Sequence, residues 1–70
     1  MMRYTIYRRP SGEDGWNARF NYETEEEARS EIPSNDSHYV YRVVPFEDDE
    51  DIPSYLSNSD LQSQVHSHRF

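Results

Sequence analysis

The stretch Trp16–Pro33, WNARFNYETEEEARSEIP, changes its period halfway along. Trp16, Ala18, Phe20 and Tyr22 alternate with Asn17, Arg19 and Asn21, the period of two that marks a strand with one apolar face. From Thr24 the spacing becomes helical. Glu27 stands three residues after Thr24, as in a capping box, and Glu25, Glu26 and Glu27 occupy the first turn, where the positive end of the helix dipole favours anions. Ala28 and Ile32 are four apart and share a face, and Pro33 ends the run because its ring and missing N–H do not fit a helix interior. The pattern predicts a strand followed by a short helix from about Glu25 to Ile32.

Upstream, Arg3 to Arg9 reads as another strand, with Tyr4 and Ile6 on one face and Arg3, Thr5, Tyr7 and Arg9 on the other. The loop PSGEDG, Pro10 to Gly15, turns it into a hairpin with Trp16–Tyr22. Downstream, SNDS (Ser34 to Ser37) is a turn and HYVYRVVP (His38 to Pro45) a third strand. Tyr39, Tyr41 and Val43 lie on one of its faces and His38, Val40, Arg42 and Val44 on the other. Both faces are partly apolar, which predicts a central position in the sheet.

The expected fold class is therefore α+β. It is a small ββαβ unit with a three-stranded sheet and one short helix packed on one face. A crossover through the helix is expected to bring the third strand beside the first and parallel to it. The second strand is expected at the sheet edge, with backbone groups free to pair with another chain, including a second copy. The expected core is Tyr4, Ile6, Trp16, Ala18, Phe20, Tyr22, Ala28, Ile32, Tyr39, Tyr41 and Val43.

A chain of 70 residues is one domain at most. Its 33% hydrophobic content lies below the roughly 45–50% of average domains, so part of it is expected to order poorly. Composition divides it into a compact domain over 1–45 and an acidic, Ser/Asp-rich, partly flexible segment over 46–70. A short helix over 60–66 is predicted where Ser59 and Gln62 repeat the capping spacing ahead of Leu61 and Val65.

Charge is the most informative property. The net charge is −7, and all seven basic residues are Arg. The acids form two blocks. One is Glu23, Glu25, Glu26, Glu27 and Glu31; the other is FEDDED, with Glu47, Asp48, Asp49, Glu50 and Asp51 consecutive. Such blocks are commonly solvated faces or linkers. Joined, they would imitate a phosphate backbone, which carries about one charge per 1.7 Å of duplex. Beyond them, Phe46, Ile52, Tyr55 and Leu56 either supply apolar contact to a basic-rimmed groove or fold over the open face of the sheet.

Competing chemistry is weak. No cysteine is present, which excludes disulfides and thiolate chemistry. His66 and His68, with His38 or Asp60, form at best a loose metal set, and neither metal nor cofactor is expected. No apolar run approaches the roughly 20 residues of a membrane span, and the first residues lack the apolar stretch of a signal peptide. A cytoplasmic location and no membrane partner are expected.

In composition the chain resembles the small acidic inhibitors that viruses and mobile elements direct at restriction or CRISPR systems. The resemblance implies a non-enzymatic, DNA-mimicking inhibitor that occupies a basic surface of a nucleic-acid-binding partner. Its binding residues would be Glu25, Glu26, Glu27, Glu31, Glu47, Asp48, Asp49, Glu50, Asp51 and Tyr55. One alternative is a nucleic-acid-binding domain using an Arg/Tyr sheet face with Tyr7, Arg9, Arg19 and Arg42. Another is a salt-adapted structural domain whose acids only keep it soluble.

Overall fold

The computed structural model describes residues 2–67. Four strands and two helices follow in the order β1 (Met2–Pro10), β2 (Trp16–Tyr22), α1 (Glu25–Ser30), β3 (Tyr39–Glu47), β4 (Tyr55–Leu56) and α2 (Asn58–Ser67). The fold is α+β, with one antiparallel sheet in the spatial order β3-β1-β2-β4.

The sheet has four strands instead of the expected three, and β3 runs antiparallel to β1, not parallel. The reason is geometrical. A helical crossover makes β3 parallel to the strand it leaves, which is β2. Because β2 is antiparallel to β1, β3 lands antiparallel on the far side of β1. The central strand is thus β1, and β3 is an outer strand. The side of β2 expected to be free is partly taken by β4, which pairs Trp16 with Leu56 and Asn17 with Tyr55. The Ala18 N–H continues this contact, donating to the Ser54 carbonyl at 2.9 Å.

Helix α1 starts where the capping pattern requires. The Thr24 Oγ1 accepts from the Glu27 N–H at 3.1 Å, and Ala28 is fully buried against the sheet. On this face of the sheet Ile6 is also buried, and Tyr4, Tyr22, Ile32, Tyr41 and Val43 are half-buried.

A second core lies on the opposite face. Tyr7, Trp16, Val44, Phe46, Leu56 and Leu61 pack together, with Ala18, Ile52 and Val65 against them. The residues after Pro45 supply half of this cluster. They run back across the sheet, and α2 closes over it. The Tyr7 hydroxyl donates to the Pro53 carbonyl at 2.7 Å, and the Trp16 indole N–H donates to Asn58 Oδ1 at 2.6 Å. The N-terminus of α2 is capped by Ser57, whose hydroxyl accepts from the Asp60 N–H at 3.1 Å. The helix therefore begins at Asn58, ahead of the expected Asp60. Phe46 and Leu56 cover the sheet face as one of the two sequence readings required, whereas Tyr55 is 56% exposed.

One irregularity explains why the expected core was one-sided. Thr5 pairs with Asn21 and Tyr7 with Ala18, so Ile6 stands opposite two residues, Arg19 and Phe20. This bulge reverses the phase of β2. Trp16 and Ala18 point to the α2 side. Arg19, Phe20 and Tyr22 border a small hollow on the α1 side with Ile6, and Phe20 is 60% exposed instead of buried.

Burial pushes the Tyr7 pKa up to about 12. A folded-state value raised above the unfolded value near 10 contributes stability that is fully present below pH ~10. That contribution is lost as pH rises from there through about 12. The melting temperature is therefore expected to fall across this alkaline window, in step with tyrosinate absorbance. Tyr7→Phe should flatten the fall.

Candidate partner-binding surface

The crossover topology decides where the acids go. β2 and β3 are parallel to each other, so both end at the same end of the sheet. There Tyr22 lies across from Tyr4, and Glu47 lies across from Met2. The acids that follow β2 and the acids that end β3 therefore meet. Glu23 and Asp48 line one open hollow of about 370 Å³ with Met2, Arg3, Asn21 and Tyr22. Helix α1 begins at this end with Glu25, Glu26 and Glu27, all exposed. The turn after β3 carries Asp49 and Asp51, also exposed, and is closed by a 3.0 Å bond from the Glu50 N–H to the Glu47 carbonyl.

Within this acidic pole two carboxylates have basic partners. Asp48 pairs with Arg3 at 3.0 Å and Glu25 with Arg29 at 3.1 Å. Both pairs are exposed and worth little in stability. Glu50 is committed to the fold, since it accepts from the Glu47 N–H at 2.9 Å and from the Gln64 side chain at 3.0 Å.

Two residues read from sequence as part of the same surface lie elsewhere. Glu31, at the C-terminal cap of α1, borders the hollow that holds Arg8, Arg19, Phe20 and Tyr41. With Glu27 it reinforces the burial that raises the Tyr22 pKa. Tyr55 lies at the opposite end of the sheet, on β4 beside Asn17. Its ring covers Gly15, where an added Cβ would collide with the Tyr55 ring and hydroxyl and where φ is +101°.

The sheet separates the arginine set. Tyr7 is buried under the C-terminal segment. Arg9 lies 5.0 Å over the Trp16 ring and donates to the Glu13 carbonyl at 2.9 Å. Arg42 pairs with Tyr7 in register and shares its face. Arg19 projects to the other face, beside Arg8. Arg8 and Arg19 stack on Tyr39 and Phe20 at 4.1 and 5.7 Å. Arg8, Arg9, Arg19 and Arg42 make no ion pair among the described residues. The molecule is thus polarised, with both acidic blocks gathered at one end and the arginines without ion pairs beyond it, among Glu13, Asp14, Glu31 and Asp36.

Sequence reasoning placed Glu23 in the first acidic block but named neither it nor Arg8 among the binding residues. Glu23 is separated from the FEDDED run by more than twenty residues, and the strand order that joins them is not a local signal. Arg8 alternates onto the Tyr4–Ile6 face, which the simple pattern assigned to the core.

Among the described residues no group of three or more His, Asp or Glu side chains is placed to hold a metal ion. Two of the histidines in the expected loose metal set, His68 and the side chain of His66, lie outside the described residues. No described helix is long and apolar enough to cross a membrane. No family model, curated protein or solved structure matches the chain.

Proposed function

We propose that the chain is a non-enzymatic acidic docking module that offers its pole to a basic surface of a nucleic-acid-binding partner, as an inhibitor that mimics a polyanion. The observation that carries this reading is the meeting of the two acidic blocks at one end of the sheet, with Glu23 and Asp48 lining the same hollow. The combined surface presents Glu26 and Glu27 of α1 and Asp49 and Asp51 of the turn after β3 to solvent. A surface of one sign raises the encounter rate with a basic groove.

The test uses a labelled oligoarginine peptide as a stand-in for the basic surface, with binding read by fluorescence anisotropy at low and moderate salt. Neutralising the pole as E26Q/E27Q/D49N/D51N is expected to weaken binding by at least about tenfold, which corresponds to about 1.4 kcal/mol, and to flatten the salt dependence. E13Q/D14N, at the opposite end, should have a much smaller effect. Equal loss in both variants would mean that the peptide senses only net charge, as a salt-adapted domain would. Labelled DNA and RNA are expected not to bind even at low salt. Binding there that weakens steeply with salt would transfer the function to Arg8 and Arg19.

A further inference from the structure

The outer side of β3 carries a specific pattern of backbone groups. In an antiparallel pair, successive residues alternate between facing the partner strand and facing away. The His38 carbonyl accepts from the Ser11 N–H at 2.9 Å, on the β1 side. The Tyr39 N–H instead donates to Asp36 Oδ1 at 3.3 Å, and the Glu47 N–H donates to Glu50 Oε1 at 2.9 Å. The β1–β3 register is unbroken from Met2↔Glu47 to Pro10↔Tyr39. Tyr39, Tyr41, Val43, Pro45 and Glu47 therefore direct their backbone outward.

Both ends of this outward row are occupied by the chain's own carboxylates. At one end the Tyr41 hydroxyl, donating at 2.7 Å, and the His38 amide hold the Asp36 carboxyl below the usual carboxylate range, with the Tyr39 amide adding to the effect. That keeps Asp36 charged as an acceptor. At the other end Glu50 does the same for Glu47. Pro45 has no N–H. Among the described residues two outward donors remain, the N–H groups of Tyr41 and Val43. An open trough of about 680 Å³ runs along them, with Glu25 and Arg29 of α1 and Ile32 just after it on one side and Val65 of α2 on the other.

We propose that this edge binds a second copy of the chain. The two β3 strands pair antiparallel about a two-fold axis at Val43 and join two sheets into one of eight strands. This register places Val43 opposite the partner's Val43 and Tyr41 opposite the partner's Pro45. All four free N–H groups then reach carbonyls, and each proline falls where it is needed only as an acceptor. Centring on Arg42 makes as many bonds but sets two guanidiniums face to face, an arrangement that like-charge repulsion disfavours. Centring on Val43 sets Arg42 against the partner's Val44.

The charges agree with the same axis. The two-fold runs the α1 helices antiparallel across the seam, so Glu25 is brought toward the partner's Arg29, and Arg29 toward the partner's Glu25. The acidic poles go to opposite ends. Eight residue steps separate the two Glu47 positions along the seam, about 26 Å at roughly 3.3 Å per residue. That is about three Debye lengths at physiological salt, so the two poles repel each other weakly, and like charges meet only at the seam ends, where Asp36 at Tyr39 faces the partner's Glu47.

Sedimentation equilibrium of the full chain, from low micromolar to millimolar concentration, tests this. The expected result is a mass that rises from one chain to two and no further. Amide hydrogen exchange at Tyr41 and Val43 should slow with concentration in parallel. Val43→Pro removes one outward donor and leaves the β1 side of β3 untouched. It should hold the protein at the mass of one chain with an unchanged circular dichroism spectrum. A single-chain mass at every concentration would overturn the proposal. So would a dimer in which the Tyr41 and Val43 amides exchange no more slowly than in the monomer. That exchange measurement decides the matter on the unaltered chain even where Val43→Pro fails to fold.

Discussion

A chain stopped at Pro45 is expected not to fold. The shortened chain would keep β1, β2, α1 and most of β3, the elements that the sequence pattern marks as a compact unit. It would lose Phe46, Leu56 and Leu61 from a cluster whose other members are Tyr7, Trp16 and Val44. It would also lose the carbonyl of Pro53 that receives the Tyr7 hydroxyl and the Asn58 side chain that receives the Trp16 indole. Burying a large apolar side chain contributes about 1.5–3 kcal/mol, so three of them together contribute roughly 4.5–9 kcal/mol. The whole chain, at about 0.05–0.15 kcal/mol per residue, has on the order of 3.5–10 kcal/mol. The loss is as large as the stability itself. Far-ultraviolet circular dichroism and the dispersion of amide proton shifts would read the outcome. A dispersed spectrum with native sheet content would show instead that residues 1–45 are an independent domain and that 46–70 only decorate it.

The parts of the fold legible in sequence are those set by local chemistry. Thr24 and Glu27 announce α1, and the Thr24 side chain makes the bond that the spacing implies. PSGEDG announces the hairpin, with Gly12 and Gly15 at positive φ. The alternation of β3 is also as read, with Val44 on the face opposite Tyr41 and Val43. What sequence does not display is any feature set by the partner of an element. Tyr7 sits among Arg3, Thr5 and Arg9 and reads as an outward residue, yet it is fully buried because a distant segment lies over it. Apolar Leu56 and Leu61 stand alone among Ser, Asn and Asp, and each is anchored by the sheet rather than by its neighbours.

The candidate surface divides in the same way. The composition of each acidic block is visible in the chain, but their meeting is a consequence of strand order. It required β3 to lie beyond β1, parallel to β2, so that Glu23 and Asp48 border one hollow. The open edge was assigned to β2 because a three-stranded unit leaves β2 uncovered. The fourth strand, two residues long, covers only the Trp16 end of β2, and the strand order gives β3 a free side of its own. No pattern of periods announces a strand of two residues.

Phe46→Ala and Phe20→Ala are expected to differ by several kcal/mol, although both phenylalanines belong to strands of one sheet. Phe46 is 1% exposed and its ring lies 6.2 Å from that of Tyr7, tilted by 44°. Truncating a buried phenylalanine costs about 3–5 kcal/mol, the lost transfer free energy plus the cavity left behind. At roughly 4–8 °C per kcal/mol for a domain of this size, the melting temperature should drop by at least about 12 °C, and a chain near the lower end of the stability range would be largely unfolded at room temperature. Phe20 is 60% exposed and lies under Arg19 at 5.7 Å. Its truncation removes little buried area and should stay within about 0.5 kcal/mol, as for other surface substitutions. Urea unfolding followed by Trp16 fluorescence measures both. The contrast depends on the bulge opposite Ile6, since without it Phe20 would continue the phase of Trp16 and Ala18 and turn inward toward the Tyr7 cluster. Comparable losses in the two variants would therefore mean that β2 runs in regular alternation and that Phe20 is a core residue after all.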